Sequence, residues 1–371
     1  MQSGKPKTLS RAGMCMAALL GLAIVLFLLR GGLHYLASGQ NDYLQLYAGA
    51  RLVGTPQLYD LRKISRVQME SAGFYGESLG FNRAPFYAVL LWPLGKLPYR
   101  QSYLLWQALC VCALLGFILL WRTPGKEAAM AACCWSLPLI LALAHGQDLT
   151  FLLLLIAAAL LIHPKRSFAA GVLLSLCAIK VHLFLLLPLV MVAQRRWRML
   201  GGLLAGGAFL TAVSFAAAGA RWPFQYFEML SQVSDPEQQI MPNFHGMLLG
   251  IPYRHSIEAL LALATAAIVW LIARRTDFEY GLAAALTGGL LISVHAYPQD
   301  CTLLLPALLI VIHRSSDWRL NYLCIALFTP WTYLVLIQGD KFNLVRMAFV
   351  GLLLGMALQS QGDRVGTLRH V

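Results

Sequence analysis

Long apolar runs separated by short basic turns constrain this chain more than any motif does. The runs fall at about residues 12–29, 101–121, 127–144, 149–163, 167–194, 199–219, 256–273, 279–295, 300–313, 319–338 and 342–358. In hydrocarbon every backbone N–H and C=O must be satisfied without water, so only helices and closed barrels can span. The runs are too long and too evenly apolar for barrel strands, which alternate in hydropathy. With 59% hydrophobic residues, 12% charged residues and a mean hydropathy of +0.66 over 371 residues, the chain reads as an all-α, polytopic integral membrane protein. About 12 transmembrane helices are expected, in a single membrane domain over 1–371. Several runs fall short of the ~20 residues of an upright span. Run 167–194 is too long for one helix and is interrupted by Lys180, His182 and Pro188. It predicts two shortened helices whose turn carries Lys180-Val181-His182, near a water-facing edge.

Orientation follows from the cations, because Lys and Arg in short loops are retained on the cytoplasmic side. If the runs alternate, one side holds Lys5, Lys7 and Arg11; Lys165 and Arg166; Arg195, Arg196 and Arg198; Arg274 and Arg275; Arg314 and Arg319; and Arg364 and Arg369. Both termini are then cytoplasmic, in the cytoplasmic (inner) membrane. For parity, 84–97 is expected to be a short or re-entrant segment continuous with 101–121. The first run has a basic lead and an apolar core but no small-residue cleavage site near Leu29 to Ser38, so it is expected to stay as an anchor.

A formal charge of +13 raises the question of nucleic acid. These cations are spread over many short loops without interleaved aromatics, which excludes a nucleic-acid stripe and fits topology determinants facing membrane lipids. The eight cysteines, nearly all inside apolar runs and without Cys-x-x-Cys spacing, read as small buried residues, neither a disulfide framework nor a metal site. No cofactor is expected.

The polar groups are lopsided. On this topology His34, His145, His182, His245, His255 and His295 face the outer side. So do eleven of the sixteen acids: Asp42, Asp60, Glu70, Glu77, Asp148, Glu228, Asp235, Glu237, Glu258, Asp300 and Asp340. Imidazoles and carboxylates gathered at short turns form a reaction face. Asp42 lies in the outer loop 30–83, within Asn-Asp-Tyr-Leu-Gln-Leu-Tyr-Ala-Gly-Ala, where a carboxylate just outside the bilayer points to catalysis on a lipid-linked substrate. The alternative for Asp42 is a helix cap. His145-Gly146-Gln147-Asp148 is either a capped helix start or a substrate-binding turn. Lys180 is costly in an apolar stretch and needs a partner or a wet cavity. His295-Ala-Tyr-Pro-Gln-Asp300 joins two apolar helices and should aim both end residues into one crevice. His245 lies in the second outer loop, 220–255, a candidate lid or acceptor wall.

Taken in order, these residues resemble the polyprenyl-phosphate-dependent glycosyltransferases of the GT-C fold, and among them glycosyltransferase family 87, the alpha-mannosyltransferase-like group. The matching elements are Asp42 to Ala50 with Gly54 and Leu58-Tyr59-Asp60; Ala84-Pro85-Phe86 through Trp92-Pro93-Leu94 to Leu97-Pro98; Gly146-Gln147; Lys180, Pro188 and Arg195-Arg196-Trp197; and Ser293 to Asp300. The chain departs from the family at Arg83-Ala84-Pro85, where Tyr-Pro-Pro is common, and at Ser293-Val-His295, where Ser-Pro is common. The resemblance implies a GT-C-type architecture, an acidic general base at Asp42 and a lipid-phosphate sugar donor such as polyprenyl-phosphate mannose. It implies a glycan or glycolipid acceptor and makes loop 30–83 the catalytic loop.

The chemistry agrees with the residues. An acceptor hydroxyl needs a carboxylate within hydrogen-bond reach to take its proton. The leaving lipid phosphate needs donors placed in advance, a role open to Arg83, Lys180 or His295. A monophosphate leaving group asks less of a metal than a diphosphate does, so no obligatory metal is expected. Substrate contacts are expected from Arg83, Gln147, Asp148, Lys180, His182, His245, His295 and Asp300. Two rivals come from other classes: a secondary transporter with Lys180, His182 and Asp148 as a relay, and a non-catalytic membrane subunit of polysaccharide assembly.

Overall fold

The computed structural model describes residues 11–73, 79–233 and 237–368. Lys5, Lys7, Glu77, Asp235, Arg369 and His370 lie outside the described residues. Among the described residues every regular element is helical and no strand occurs. Four helices are long and apolar enough to cross a membrane: Tyr99–Leu120, Trp197–Ala218, Arg254–Ala273 and Leu344–Gln361. Two bent pairs, Lys126–Trp135 with Leu137–Ala144 and Trp318–Phe328 with Pro330–Ile337, raise this to six if each pair is one span. The protein is a polytopic helical membrane protein, but the expected twelve crossings are not reached by helix length. Runs that look continuous in sequence are divided in space. Ser136 accepts a hydrogen bond from the Leu139 N–H and starts a new helix at 70° to the last. Pro330 opens the second helix of the other pair, where its missing N–H costs nothing.

Run 84–97 is likewise a separate helix, Pro85–Gly95, with Lys96-Leu97-Pro98 between it and Tyr99–Leu120. Its Pro85, Phe86, Tyr87, Ala88 and Leu91 are buried, packed against Tyr43–Leu52 and Trp197–Ala218.

The helices run between two ends of the molecule. The helix Leu149–Ile162 starts at the His145–Asp148 turn and ends at His163, whose ring lies 5.2 Å from that of Phe278. At that same end the Arg196 guanidinium sits 5.1 Å from the Phe278 ring, and Arg314 pairs with Asp277 at 2.7 Å and Glu279 at 2.9 Å. Gln359 closes this end by donating to the Arg314 carbonyl and accepting from the Tyr280 hydroxyl. The basic turns around 165, 195, 274 and 314 thus converge, while Asp148, Lys180 and Ser293 to Asp300 collect at the opposite end.

Small residues make the crossings tight. A side chain on Gly171 would put its Cβ 2.0 Å from the Met199 carbonyl oxygen, and one on Gly202 would meet the Phe168 carbonyl oxygen at 2.0 Å. This is the close backbone approach by which membrane helices associate without a hydrophobic drive. Gly289 lets the Leu183 backbone approach in the same way, with a Cβ-to-oxygen distance of 2.2 Å, and so fixes the Lys180 turn against Phe278–Ile292.

Candidate active site

Asp42 begins the helix Tyr43–Leu52, yet its side chain makes no capping bond to that helix. Its Oδ2 instead accepts a 2.5 Å hydrogen bond from Gln147 Nε2 and lies 4.0 Å from His145 Nδ1. No hydrogen bond reaches Oδ1 among the described residues, and a quarter of the side chain is exposed. The capping alternative for Asp42 therefore does not hold: the carboxylate is oriented from outside its own helix and left half available.

Asn41 stitches the two segments that meet here. Its Nδ2 donates to the Ala144 carbonyl at 2.9 Å and to the Tyr103 hydroxyl at 3.1 Å, while its Oδ1 accepts from the Tyr43 N–H. Gly146 takes φ +66°, and a Cβ there would lie 2.9 Å from both Asn41 Oδ1 and Tyr43 Cβ. Only glycine meets both demands at no steric cost. Trp106 Nε1 donates to the Gly146 carbonyl at 2.9 Å and holds the turn from behind.

One residue beyond Gln147 the chain enters a buried charge network. Asp148, with no exposure, stands at the start of Leu149–Ile162 but makes no side-chain cap; its oxygens take Arg83 Nε at 3.1 Å and Lys180 Nζ at 3.9 Å. Lys180 donates to Asp300 Oδ1 at 2.6 Å, and Asp300 Oδ2 accepts from the Tyr297 N–H at 2.8 Å. The two cations and two carboxylates sum to zero, as buried ions must if their desolvation is to be offset. Burial works against the charge on Arg83, but the Asp148 carboxylate outweighs it and lifts the guanidinium above its ordinary value. Burial also opposes ionisation of Asp300, yet Lys180 and the Tyr297 N–H hold its carboxyl below the usual range. Arg83 is set in place by its own backbone, whose carbonyl accepts from the Tyr59 hydroxyl at 2.8 Å. Asp60, next in the Leu58-Tyr59-Asp60 motif, caps Leu61–Ala72 through the Arg62 and Lys63 N–H groups, so this motif does structural work.

The Lys180 turn is where run 167–194 breaks: Ser167–Ser175 passes into a 3-10 segment, Leu176–Leu183, in which Lys180 leaves helical geometry, before Leu187–Ala193 resumes. Within the turn expected near a water-facing edge, Val181 is exposed while Lys180 beside it is only 4% exposed. The reason is the pairing with Asp300 and Asp148, which lets the ammonium do without water. The His182 ring faces that of His295 at 6.2 Å, and His295 lies edge-on to Tyr297 at 5.1 Å. The Nε2 of His182 is buried and has no hydrogen-bond partner among the described residues.

The expected site residues thus fall into three groups. Gln147 meets Asp42; Arg83, Asp148, Lys180 and Asp300 form the network; His182 meets His295. His295 and Asp300, expected to share one crevice, both act on the His182 ring, and Asp300 also pairs with Lys180. His245 stands apart, with Nδ1 3.0 Å from Glu258, which also approaches His255. Its segment is still tied to the site end, because Asn243 Nδ2 donates to the Ser293 carbonyl at 2.7 Å. Sequence reasoning missed the residue that braces this loop. Arg346, 2% exposed, donates to the carbonyls of Met241 and Gln239 and to Asn343. The signal was available: a lone cation inside an apolar run needs partners for the same reason Lys180 does. Among the described residues no three His, Cys, Asp or Glu side chains gather as they would around a metal.

No curated protein and no solved structure matches this chain. Residues 83–298 match the model of glycosyltransferase family 87. That span is more than half of the chain and contains Arg83, Gln147, Asp148, Lys180, His182, His245 and His295; Asp300 lies two residues beyond its end, and Asp42 lies well before its start, outside the match. The chain belongs to glycosyltransferase family 87.

Proposed function

We propose that this glycosyltransferase moves a hexose, mannose in the first instance, from a polyprenyl-phosphate sugar to a glycan or glycolipid acceptor at the outer face of the cytoplasmic membrane. The architecture proposed is of the GT-C type, with both termini cytoplasmic. One observation carries the reading: Asp42 is partly exposed, is bound through one oxygen by Gln147 and keeps the other oxygen without a hydrogen bond among the described residues. A carboxylate so held is oriented to receive a proton and is not consumed by structure.

In the proposed step the acceptor hydroxyl gives its proton to Asp42 Oδ1 as its oxygen bonds to the anomeric carbon. The bond from that carbon to the phosphate oxygen breaks, and the electron pair leaves with the lipid phosphate. Gln147 keeps the base in register, and His145, 4.0 Å away, offers a polar neighbour on the exposed side. Arg83 and Lys180 are already matched to carboxylates, so they act as a fixed polar wall beside the reaction and present no bare charge to the phosphate. The buried Nε2 of His182, beside His295, is the donor proposed for a phosphate oxygen. The isoprenoid tail would lie along the apolar surface near Val53, Val89, Trp92 and Ala217, where a hollow of about 330 Å³ opens beside the Tyr43–Leu52 helix.

Purified protein incubated with labelled polyprenyl-phosphate mannose and membrane-extracted acceptors tests this. Label passing to acceptor supports the reading. Transfer from a nucleotide sugar, with none from any polyprenyl-phosphate hexose, would overturn the donor assignment.

A further inference from the structure

A second candidate site lies at the basic end, away from Asp42. A partly open cavity of about 660 Å³ is lined there by Gln194, Arg195, Arg196, Trp197, Trp270 and Arg274, among others. Its charge is not balanced from within. No carboxylate is among these residues, and Asp277 and Glu279 close by are paired with Arg314 at 2.7 and 2.9 Å, with Asp277 also acting on Arg196. The exposed side chains of Arg195 and Arg274 make no hydrogen bond or ion pair among the described residues.

The surrounding backbone is built to hold this arrangement. Gln194 Nε2 donates to the carbonyls of Ala273, Thr276 and Asp277, locking the 194–197 turn to the 273–277 turn across the cavity. Arg196 Nε in turn donates to Gln194 Oε1 at 2.9 Å. Arg195 adopts φ +54°, a left-handed conformation that L side chains rarely take and that local structure must enforce. The helix Trp197–Ala218 starts at the cavity without a side-chain cap, so its first N–H groups and the positive end of its dipole add to the guanidinium charge. Arginine forks and uncapped helix N–H groups together are donors for phosphate oxygens.

The walls identify the source of that phosphate. Trp197–Ala218 and Arg254–Ala273, whose ends frame the cavity, are both candidate spans, and little of either is buried within the protein. Trp197 is 59% exposed, and tryptophans at such positions sit at the headgroup level of a bilayer. We infer that this cavity is a binding site for the phosphate headgroup of a net-anionic membrane lipid, on the face opposite Asp42 and separate from the transfer site.

The test uses full-length protein in neutral detergent, with phosphatidylglycerol, phosphatidylcholine or inorganic phosphate added and binding followed by native mass spectrometry and thermal stability. Phosphatidylglycerol should be retained and should raise the denaturation temperature, while phosphatidylcholine and inorganic phosphate should do neither. In the double variant Arg195→Gln/Arg274→Gln, affinity for phosphatidylglycerol should fall on the order of tenfold or more. The variant Lys165→Gln/Arg166→Gln, which removes equal charge from the same end but outside the cavity, should bind like the wild type. Equal losses in both double variants would overturn the site in favour of diffuse surface charge. Protection by inorganic phosphate equal to that by lipid would overturn the lipid assignment.

Discussion

Removing Lys180 alone leaves Asp300 and Asp148 sharing only Arg83, an uncompensated buried carboxylate of the kind that costs about 3–5 kcal/mol. Removing Lys180 together with the Asp300 charge restores neutrality. Lys180→Met should therefore lower the denaturation temperature in detergent markedly, and Lys180→Met/Asp300→Asn should recover much of the loss. Additive losses would show that the two side chains are not coupled. The Asp300 carboxyl is held below its ordinary range, so the stability it contributes is complete above the unfolded value of about 3.9 and is lost as pH falls through the lower folded value. The stability difference between wild type and Asp300→Asn should stay level from pH 7 to about pH 5 and shrink only in stronger acid. A difference already shrinking by pH 6 would contradict the pairing. Lys180 stood out in sequence as a cation that needs either a partner or a wet cavity, and the structure gives it a partner. That partner lies 120 positions away, and nothing local to either residue could name it. The bond from Gln147 to Asp42 spans 105 positions, and the sequence likewise marked both ends without joining them.

At the scale of elements, helix content was legible because apolar length and composition decide it, whereas breaks were legible only where a residue forces them. Pro188 and Lys180 announced the interruption in 167–194; the 70° bend at Ser136 rests on a cap and on Trp135, whose Nε1 donates to the Ala17 carbonyl, a long-range contact with no local signature. The crossing of Ser167–Ser175 with Trp197–Ala218 depends on Gly171 and Gly202 meeting backbone directly. Gly171→Leu should push the helices apart and cost about 1–3 kcal/mol or more, as overpacking does. Gly207→Ala, on the same long helix with open space around it, should be neutral or slightly stabilising. Thermal denaturation of the two variants in parallel checks this; equal losses would mean that glycine content, not the close approach, matters there.

For the whole molecule, the charge pattern predicted which loops share an end, and the structure gathers the turns at 165, 195, 274 and 314 together. The number of spans was less legible, because run length does not show that many helices are only 10–17 residues long and lean on neighbours for burial. The proposed orientation in the membrane takes the basic end as cytoplasmic, as the retention of Lys and Arg on that side predicts. Single cysteines placed at Ser71 and Ser231, in a background lacking the exposed Cys15 and Cys112, should react with an impermeant reagent on intact cells. Reaction only after permeabilisation would invert the molecule and put Asp42 on the wrong side for a polyprenyl-phosphate donor.

The central claim is that Asp42 is the general base of the transfer, and Asp42→Asn tests it most directly. The amide keeps the size of the side chain and an oxygen for Gln147, but it cannot take a proton at neutral pH. General-base contributions run to roughly 100- to 10,000-fold. Turnover and thermal stability measured on one preparation should show activity reduced by about that factor, with donor binding and denaturation temperature near those of the wild type. A stable Asn variant that still transfers sugar at the wild-type rate would contradict the account.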